Sequence, residues 1–171
     1  LQYMDIEDIL TFIVRAIPAA FCLILLFEDR VYVVRDRYGI RPMCLGQHND
    51  SYYVSSETHG LGDASFIRDV KPGEIIRIDY QGIKSIFLHP ESQLSLCTFE
   101  ILYFANENSV IDGYSVKEIR KGLAIKLAER EYLIDKDYVV VGVPSTGSLL
   151  GQTYADIAGL RYGQLITKNP N

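Results

Sequence analysis

Cysteine is scarce in this chain, and the little there is does not pair. Cys22, Cys44 and Cys97 form an odd, widely spaced set of three, which excludes a disulfide framework and points to a reducing compartment. An iron–sulfur cluster needs four ligands, and three cysteines with no close pair do not supply them. The three histidines, His48, His59 and His89, show no metal-ligand spacing. There is no zinc motif and no serine-hydrolase elbow. Positive charge is short as well. Seventeen Lys and Arg stand against 22 Asp and Glu, a net charge of -5, so no basic face is left over for nucleic acid as the main partner. Repeats and low-complexity tracts are absent.

Long apolar runs are limited to Ile9–Phe27, which is about the length of a bilayer span. Arg15 and Pro18 lie inside it, and no small-residue cleavage site follows a basic start. The run therefore reads as a helix, a break at Pro18, then a buried strand. No membrane partner is expected, and the expected location is cytoplasmic.

What is present is an ordinary globular composition, 48% hydrophobic and 23% charged over 171 residues, enough for one sizeable domain or one domain and part of another. The chain is organised around Val34–Met43, where three arginines and an aspartate share a stretch with Gly39 and Pro42. Glycine permits a positive φ, and Pro42 biases Arg41 away from helix, so the backbone must turn. Taken alone, the stretch reads equally well as a turn carrying a solvated charge cluster.

Upstream, Ile6, Ile9, Leu10, Ile13, Val14 and Ile17 recur at helical spacing, which predicts an amphipathic helix over Asp5–Ala16 with Asp5 at its N-cap. Phe21–Phe27 reads as a fully buried strand and Val31–Arg35 as its return. Tyr52–Ser56, Glu74–Asp79 and Ile83–Leu88 follow as strands, the last two joined by the hairpin signal Tyr80-Gln81-Gly82. A boundary is expected at His89–Ser92, because the texture then changes. Ser115 and Glu118 form a capping box ahead of a helix to about Arg130, with Val116, Ile119, Leu123 and Leu127 on one face. Tyr138–Val143 reads as a buried parallel strand, Leu149–Ala158 as a helix and Tyr162–Ile166 as the start of another strand. Residues 1–92 thus read as α+β, and residues 93–171 as the opening of an α/β domain.

One spot carries chemistry on physical grounds. Ser145-Thr146-Gly147 lies between a strand and a helix, where backbone amides at a helix N-terminus can hold phosphate oxygens. A threonine hydroxyl there can also ligate Mg²⁺ carried by a nucleotide or pyrophosphate. The Gly-Lys-Ser/Thr ending of a P-loop is missing, and a plain turn with an N-cap is the competing reading. Cys97, alone in an apolar setting, reads as a small buried hydrophobe.

Several stretches, in order, resemble amidophosphoribosyltransferase, the glutamine phosphoribosylpyrophosphate amidotransferase family. Arg35-Asp36-Arg37-Tyr38-Gly39-Ile40-Arg41-Pro42 is similar to that family's Arg-Asp-Pro-Tyr-Gly-Ile-Arg-Pro. Ser55-Ser56-Glu57 and Arg68-Asp69-Val70-Lys71-Pro72-Gly73-Glu74 continue the likeness. Cys97-Thr98-Phe99-Glu100-Ile101-Leu102-Tyr103-Phe104-Ala105 resembles the passage from the glutaminase to the phosphoribosyltransferase domain. Val141-Gly142-Val143-Pro144-Ser145-Thr146-Gly147 resembles the strand and pyrophosphate loop of the second domain, and Lys168-Asn169 the start of a further family loop.

The resemblance implies an N-terminal-nucleophile-hydrolase-like glutaminase portion over 1–92, and the first half of a phosphoribosyltransferase-like domain over 93–171. It implies glutamine and 5-phosphoribosyl 1-pyrophosphate as substrates, ammonia passing between two sites, 5-phosphoribosylamine as product, and a homo-oligomer at full length. Carried over residue by residue, Asp5 would hold the substrate α-amino group. Thr146 would help bind Mg²⁺ with the pyrophosphate, and Cys97 matches a ligand of the 4Fe-4S cluster that some members carry.

The departures from the family pattern are specific. The family nucleophile is an N-terminal cysteine using its own amine as base, whereas residue one here is Leu1. The family's oxyanion pair and its Asp-Asp loop have no counterpart in this stretch. Ser145 replaces an acidic residue, Arg37 a proline, Asn106-Glu107-Asn108 an Arg-Pro-Asp, and Pro170-Asn171 an Arg-Tyr. The expectation is a piece of a longer enzyme, inactive by itself. The alternative is a degenerate relative acting as a nucleotide-binding or regulatory module.

Overall fold

The computed structural model describes residues 4–131 and 137–169. Leu1 and Pro170-Asn171 lie outside the described residues. The chain divides into two units, Leu1–Glu100 and Ile101–Asn171.

The first unit opens with helix α1 (Ile6–Ala16), capped by the Asp5 carboxylate, which accepts from the Glu7 amide at 3.4 Å. Strands β1 (Cys22–Phe27), β2 (Arg30–Arg35), β6 (Glu74–Asp79) and β7 (Gly82–Leu88) form an antiparallel sheet in the order β1-β2-β6-β7. Strands β3 (Cys44–His48), β4 (Ser51–Ser55) and β5 (Ser65–Asp69) form a second, ordered β4-β3-β5. Side chains alternate across a strand, and the core follows that period. Tyr32 and Val34 of β2 pack with Leu10 and Val14 of α1, whereas Val33 packs with Met43, Leu45, Val70 and Ile76. The predicted hairpin is present, with Asp79 opposite Gly82 across a two-residue turn.

One expectation fails here. The Phe21–Phe27 run is not a fully buried strand: among the described residues β1 pairs only with β2, and Leu26 is 72% exposed and Ile24 57%. An uninterrupted apolar run fixes no face, so it cannot tell a central strand from an edge. Of the two readings left open for Val34–Met43, the solvated charge cluster is the one that does not hold. Arg35 and Asp36 are wholly buried. The Arg35 guanidinium donates to the carbonyls of Gly39 (2.9 Å), Arg41 (2.8 Å) and Val70 (2.6 Å). The Asp36 carboxylate accepts from the amides of Tyr38, Ile40 and Phe21. Buried charges persist where hydrogen bonds satisfy them, and these two hold the turn together. Gly39 takes φ +56°, and a Cβ there would lie 2.7 Å from Pro72 Cγ. The extended segment 93–97 lies along this turn, its amides at Gln93, Ser95 and Cys97 donating to the carbonyls of Arg37, Tyr38 and Ile40.

The second unit begins in a π-helical turn, Glu100–Phe104. A short hairpin, β8 (Val110–Ile111) and β9 (Tyr114–Ser115), leads into α2 (Val116–Arg130). Ser115 Oγ accepts from the Glu118 amide at 3.4 Å, the expected half of the capping box, while the Glu118 carboxylate lies by Lys121. The buried face of α2 is Val116, Arg120, Ala124 and Ala128; of the predicted face Val116 is buried and Ile119 half-buried, while Leu123 and Leu127 are exposed. β10 (Val139–Val141), α3 (Thr146–Ala158) and β11 (Arg161–Gly163) follow, with β10 and β11 parallel as a strand–helix–strand crossover requires. The last strand is shorter than expected, with Leu165 and Ile166 exposed. Among the described residues no helix is long and apolar enough to cross a membrane.

Candidate functional site

The Val143–Gly147 loop turns the chain from β10 into α3, and Gly142 makes the turn possible. A Cβ at Gly142 would lie 2.7 Å from both the Gly147 carbonyl oxygen and Ser148 Cα. The helix start can therefore fold back against the strand only over a residue without a side chain. A cleft of about 620 Å³ opens here, lined by Tyr103 and Phe104, by the loop Val143–Gly147, and by Ile166, Thr167 and Lys168. Thr146 is half-buried at its wall. Its hydroxyl donates to the Tyr103 carbonyl at 3.5 Å, the long end of the range.

A hydroxyl has one proton and two lone pairs. With the proton turned to Tyr103, the oxygen's lone pairs remain for a cation. The helix N-terminus adds a partial positive charge and Lys168 a full one, so the chemistry suits a multiply charged anion with its divalent ion. One expectation changes. The amides of Gly147 and Ser148 donate to the carbonyls of Val143 and Ser145, so they do not cradle phosphate in this conformation. Tyr103 and Phe104, in edge-to-face contact at 5.4 Å, were not singled out from the sequence as cleft residues. Nothing in their spacing marks them, because a π-helical turn has no pattern of its own.

The other two sequence-derived residues lie in the first unit. Asp5 is exposed at the head of α1. Two residues on, Glu7 accepts from Arg77 at 3.1 Å and from the Tyr32 hydroxyl at 3.3 Å, which ties the first turn of α1 to β6 and β2. Cys97 is half-buried and its amide donates to Ile40. No set of three or more His, Cys, Asp or Glu among the described residues is arranged to hold a metal ion. Burial pushes the Cys22 thiol up to about 11 and the Cys44 thiol up to about 12, and a protonated thiol is a poor ligand. Among the described residues no further cysteine stands with Cys97, so Cys97 would be a single ligand of any cluster. For Mg²⁺, Thr146 offers a single oxygen, which fits an ion whose other ligands come from substrate and water.

No family model matches the chain. Two solved structures are similar to it. A structure described as the allosteric regulatory enzyme of purine biosynthesis aligns with a TM-score of 0.87 at 28% identity, covering 98% of this chain and 37% of that one. The glutamine phosphoribosylpyrophosphate amidotransferase of B. subtilis, complexed with ADP and GMP, aligns with a TM-score of 0.82 at 28% identity, covering 99% and 41%.

Curated proteins are similar to it as well. The amidophosphoribosyltransferase of Mycobacterium leprae is 40% identical over 156 residues, 90% of this chain and 27% of that protein. That of Methanocaldococcus jannaschii is 32% identical over 172 residues, 91% of this chain and 36% of that protein. The chain is thus homologous to amidophosphoribosyltransferases over nine-tenths of its own length, and spans about a quarter to a third of the curated relatives it matches.

Proposed function

We propose that this chain carries parts of both sites of an amidophosphoribosyltransferase, the enzyme in which ammonia from glutamine displaces pyrophosphate from 5-phosphoribosyl 1-pyrophosphate. Residues 1–92 belong to the glutaminase and residues 93–171 to the phosphoribosyltransferase. The observation that carries the reading is the cleft at Val143–Gly147, where a hydroxyl with its proton turned away, a helix N-terminus and Lys168 meet. Pyrophosphate bearing Mg²⁺ matches that set in charge and in ligand type. Asp5 holds the ammonium of glutamine, a charge-assisted contact open to an exposed carboxylate. Thr146 would offer its oxygen to Mg²⁺, which when bound would supply charge neutralisation on the leaving pyrophosphate, and Lys168 would meet the remaining negative charge.

The test uses the protein that the full reading frame encodes. Pyrophosphate release is measured with glutamine and, separately, with ammonia. Asp5→Ala is expected to raise KM for glutamine and leave the ammonia-driven rate intact, whereas Thr146→Val lowers both. No release with either nitrogen donor would refute the reading. Ser145, standing where the family has an acidic residue, favours a second reading, a non-catalytic nucleotide-binding module. Saturable substrate binding without turnover would select it.

A further inference from the structure

We propose that Arg120 is a positioning residue for the Thr146 hydroxyl, acting through the π-helical turn that carries Tyr103. The proposal rests on the reading of the cleft as a Mg²⁺–pyrophosphate site.

Arg120 lies on α2 in the face otherwise formed by Val116, Ala124 and Ala128, and is 3% exposed. A guanidinium in that place would be a heavy desolvation penalty unless its donors were used. They are used at both ends of one turn. Nε donates to the Ile101 carbonyl at 2.8 Å and an Nη donates to the Ala105 carbonyl at 2.9 Å. Late carbonyls of a short helical turn have no partner of their own, so the planar fork fixes the turn's length and pitch from outside. A lysine is a single point donor and cannot span both carbonyls in that geometry.

The same turn faces the cleft on its other side. Tyr103 and Phe104 line the wall, and the Tyr103 carbonyl accepts from Thr146 Oγ1. That acceptor decides where the hydroxyl proton points. With the carbonyl held in place, the Thr146 oxygen presents lone pairs to a cation. With the turn released, the hydroxyl is free to rotate and place its proton toward the ion. Arg120 therefore acts on metal binding at Thr146 without touching substrate or metal.

The experiment is calorimetric titration of inorganic pyrophosphate into the folded chain, with and without Mg²⁺. The wild type is expected to bind more tightly when Mg²⁺ is present. Arg120→Lys is expected to keep metal-free binding, which depends on the charge of Lys168, and to lose about tenfold of the Mg²⁺-dependent gain, the worth of roughly one hydrogen bond. Thr146→Val should lose the same gain, and the double variant no more than either single one, because both act on one ligand.

An undiminished Mg²⁺ gain in Arg120→Lys overturns the proposal. So does an equal loss of metal-free and metal-dependent affinity, which is the mark of a merely structural role. A wild type that binds pyrophosphate under neither condition refutes the reading of the cleft itself, and the proposal with it. Circular dichroism establishes that each variant is folded. If Arg120→Lys does not fold, Arg120→Gln replaces it, and failure of both makes Arg120 a requirement of the fold and overturns its positioning role.

Discussion

Two buried glutamates behave oppositely, and their partners explain why. Burial alone would raise the carboxyl of Glu74, but bidentate donation from Arg68 at 2.8 and 2.9 Å and from the Lys71 amide outweighs it and holds the group below its ordinary range. A depressed folded value means stability that is present above the ordinary carboxylate value and is lost as pH falls through the depressed one. Glu74→Gln should therefore cost about 3 kcal/mol at neutral pH and flatten the acid limb of the stability profile. Denaturant titration at several pH values reads both effects.

Glu100 is held above its ordinary range, by burial first and by Glu57, with Arg41 opposing. Arg41 Nε lies 2.7 Å from its carboxylate without the alignment of a hydrogen bond. The sign is reversed: the folded state favours the protonated form. The stabilising contribution is complete below the ordinary value and disappears as pH rises through the raised one. Glu100→Gln should be no less stable than the wild type at pH 7, and a clear loss of stability there would contradict this.

At the scale of elements, the parts legible in the sequence are those where a local pattern decides the outcome. Helix α1 is where the spacing of Leu10 and Val14 puts it, and Asp5 caps it. Asp5→Ala should cost about 1 kcal/mol, seen as a lower melting temperature. The β6–β7 hairpin and the Ser115 cap were equally readable. Where tertiary neighbours decide, the pattern misleads. The leucines of α2 look like its core face, but Ala124 and Ala128 are buried instead. β1 looks central because its apolar residues do not alternate. The π-helical turn and the β8–β9 hairpin have no periodic signature at all. Of the candidate site, the strand–loop–helix and Thr146 could be read from the sequence. Arg120 and Tyr103 could not, since both act through backbone carbonyls that no residue pattern marks. Gly142 is the element-scale test of the cleft. Gly142→Ala places a Cβ 2.7 Å from helix backbone, and a loss of about 3 kcal/mol with weakened pyrophosphate binding is expected.

At the scale of the whole molecule, apolar surface is left uncovered in each unit. Leu23, Ile24, Leu26 and Phe27 are exposed on β1. In the second unit, Leu123 and Leu127 open into an apolar groove of about 410 Å³ with Leu102, Val140, Leu150 and Tyr154. Patches of this kind bind hydrophobic dyes and associate, and a strand edge adds a template for pairing. The 171-residue chain is expected to enhance ANS fluorescence and to associate with rising concentration. A monodisperse chain that ignores the dye would show that these faces are covered.

The central claim is that the Val143–Gly147 loop receives the pyrophosphate of a phosphoribosyl donor. It is tested most directly by amide chemical shifts recorded while 5-phosphoribosyl 1-pyrophosphate is added with Mg²⁺. Saturable shifts centred on Ser145, Thr146 and Lys168, reaching saturation at a higher donor concentration in Thr146→Val, are the expected result. No shifts, or shifts confined to the first unit, would contradict it.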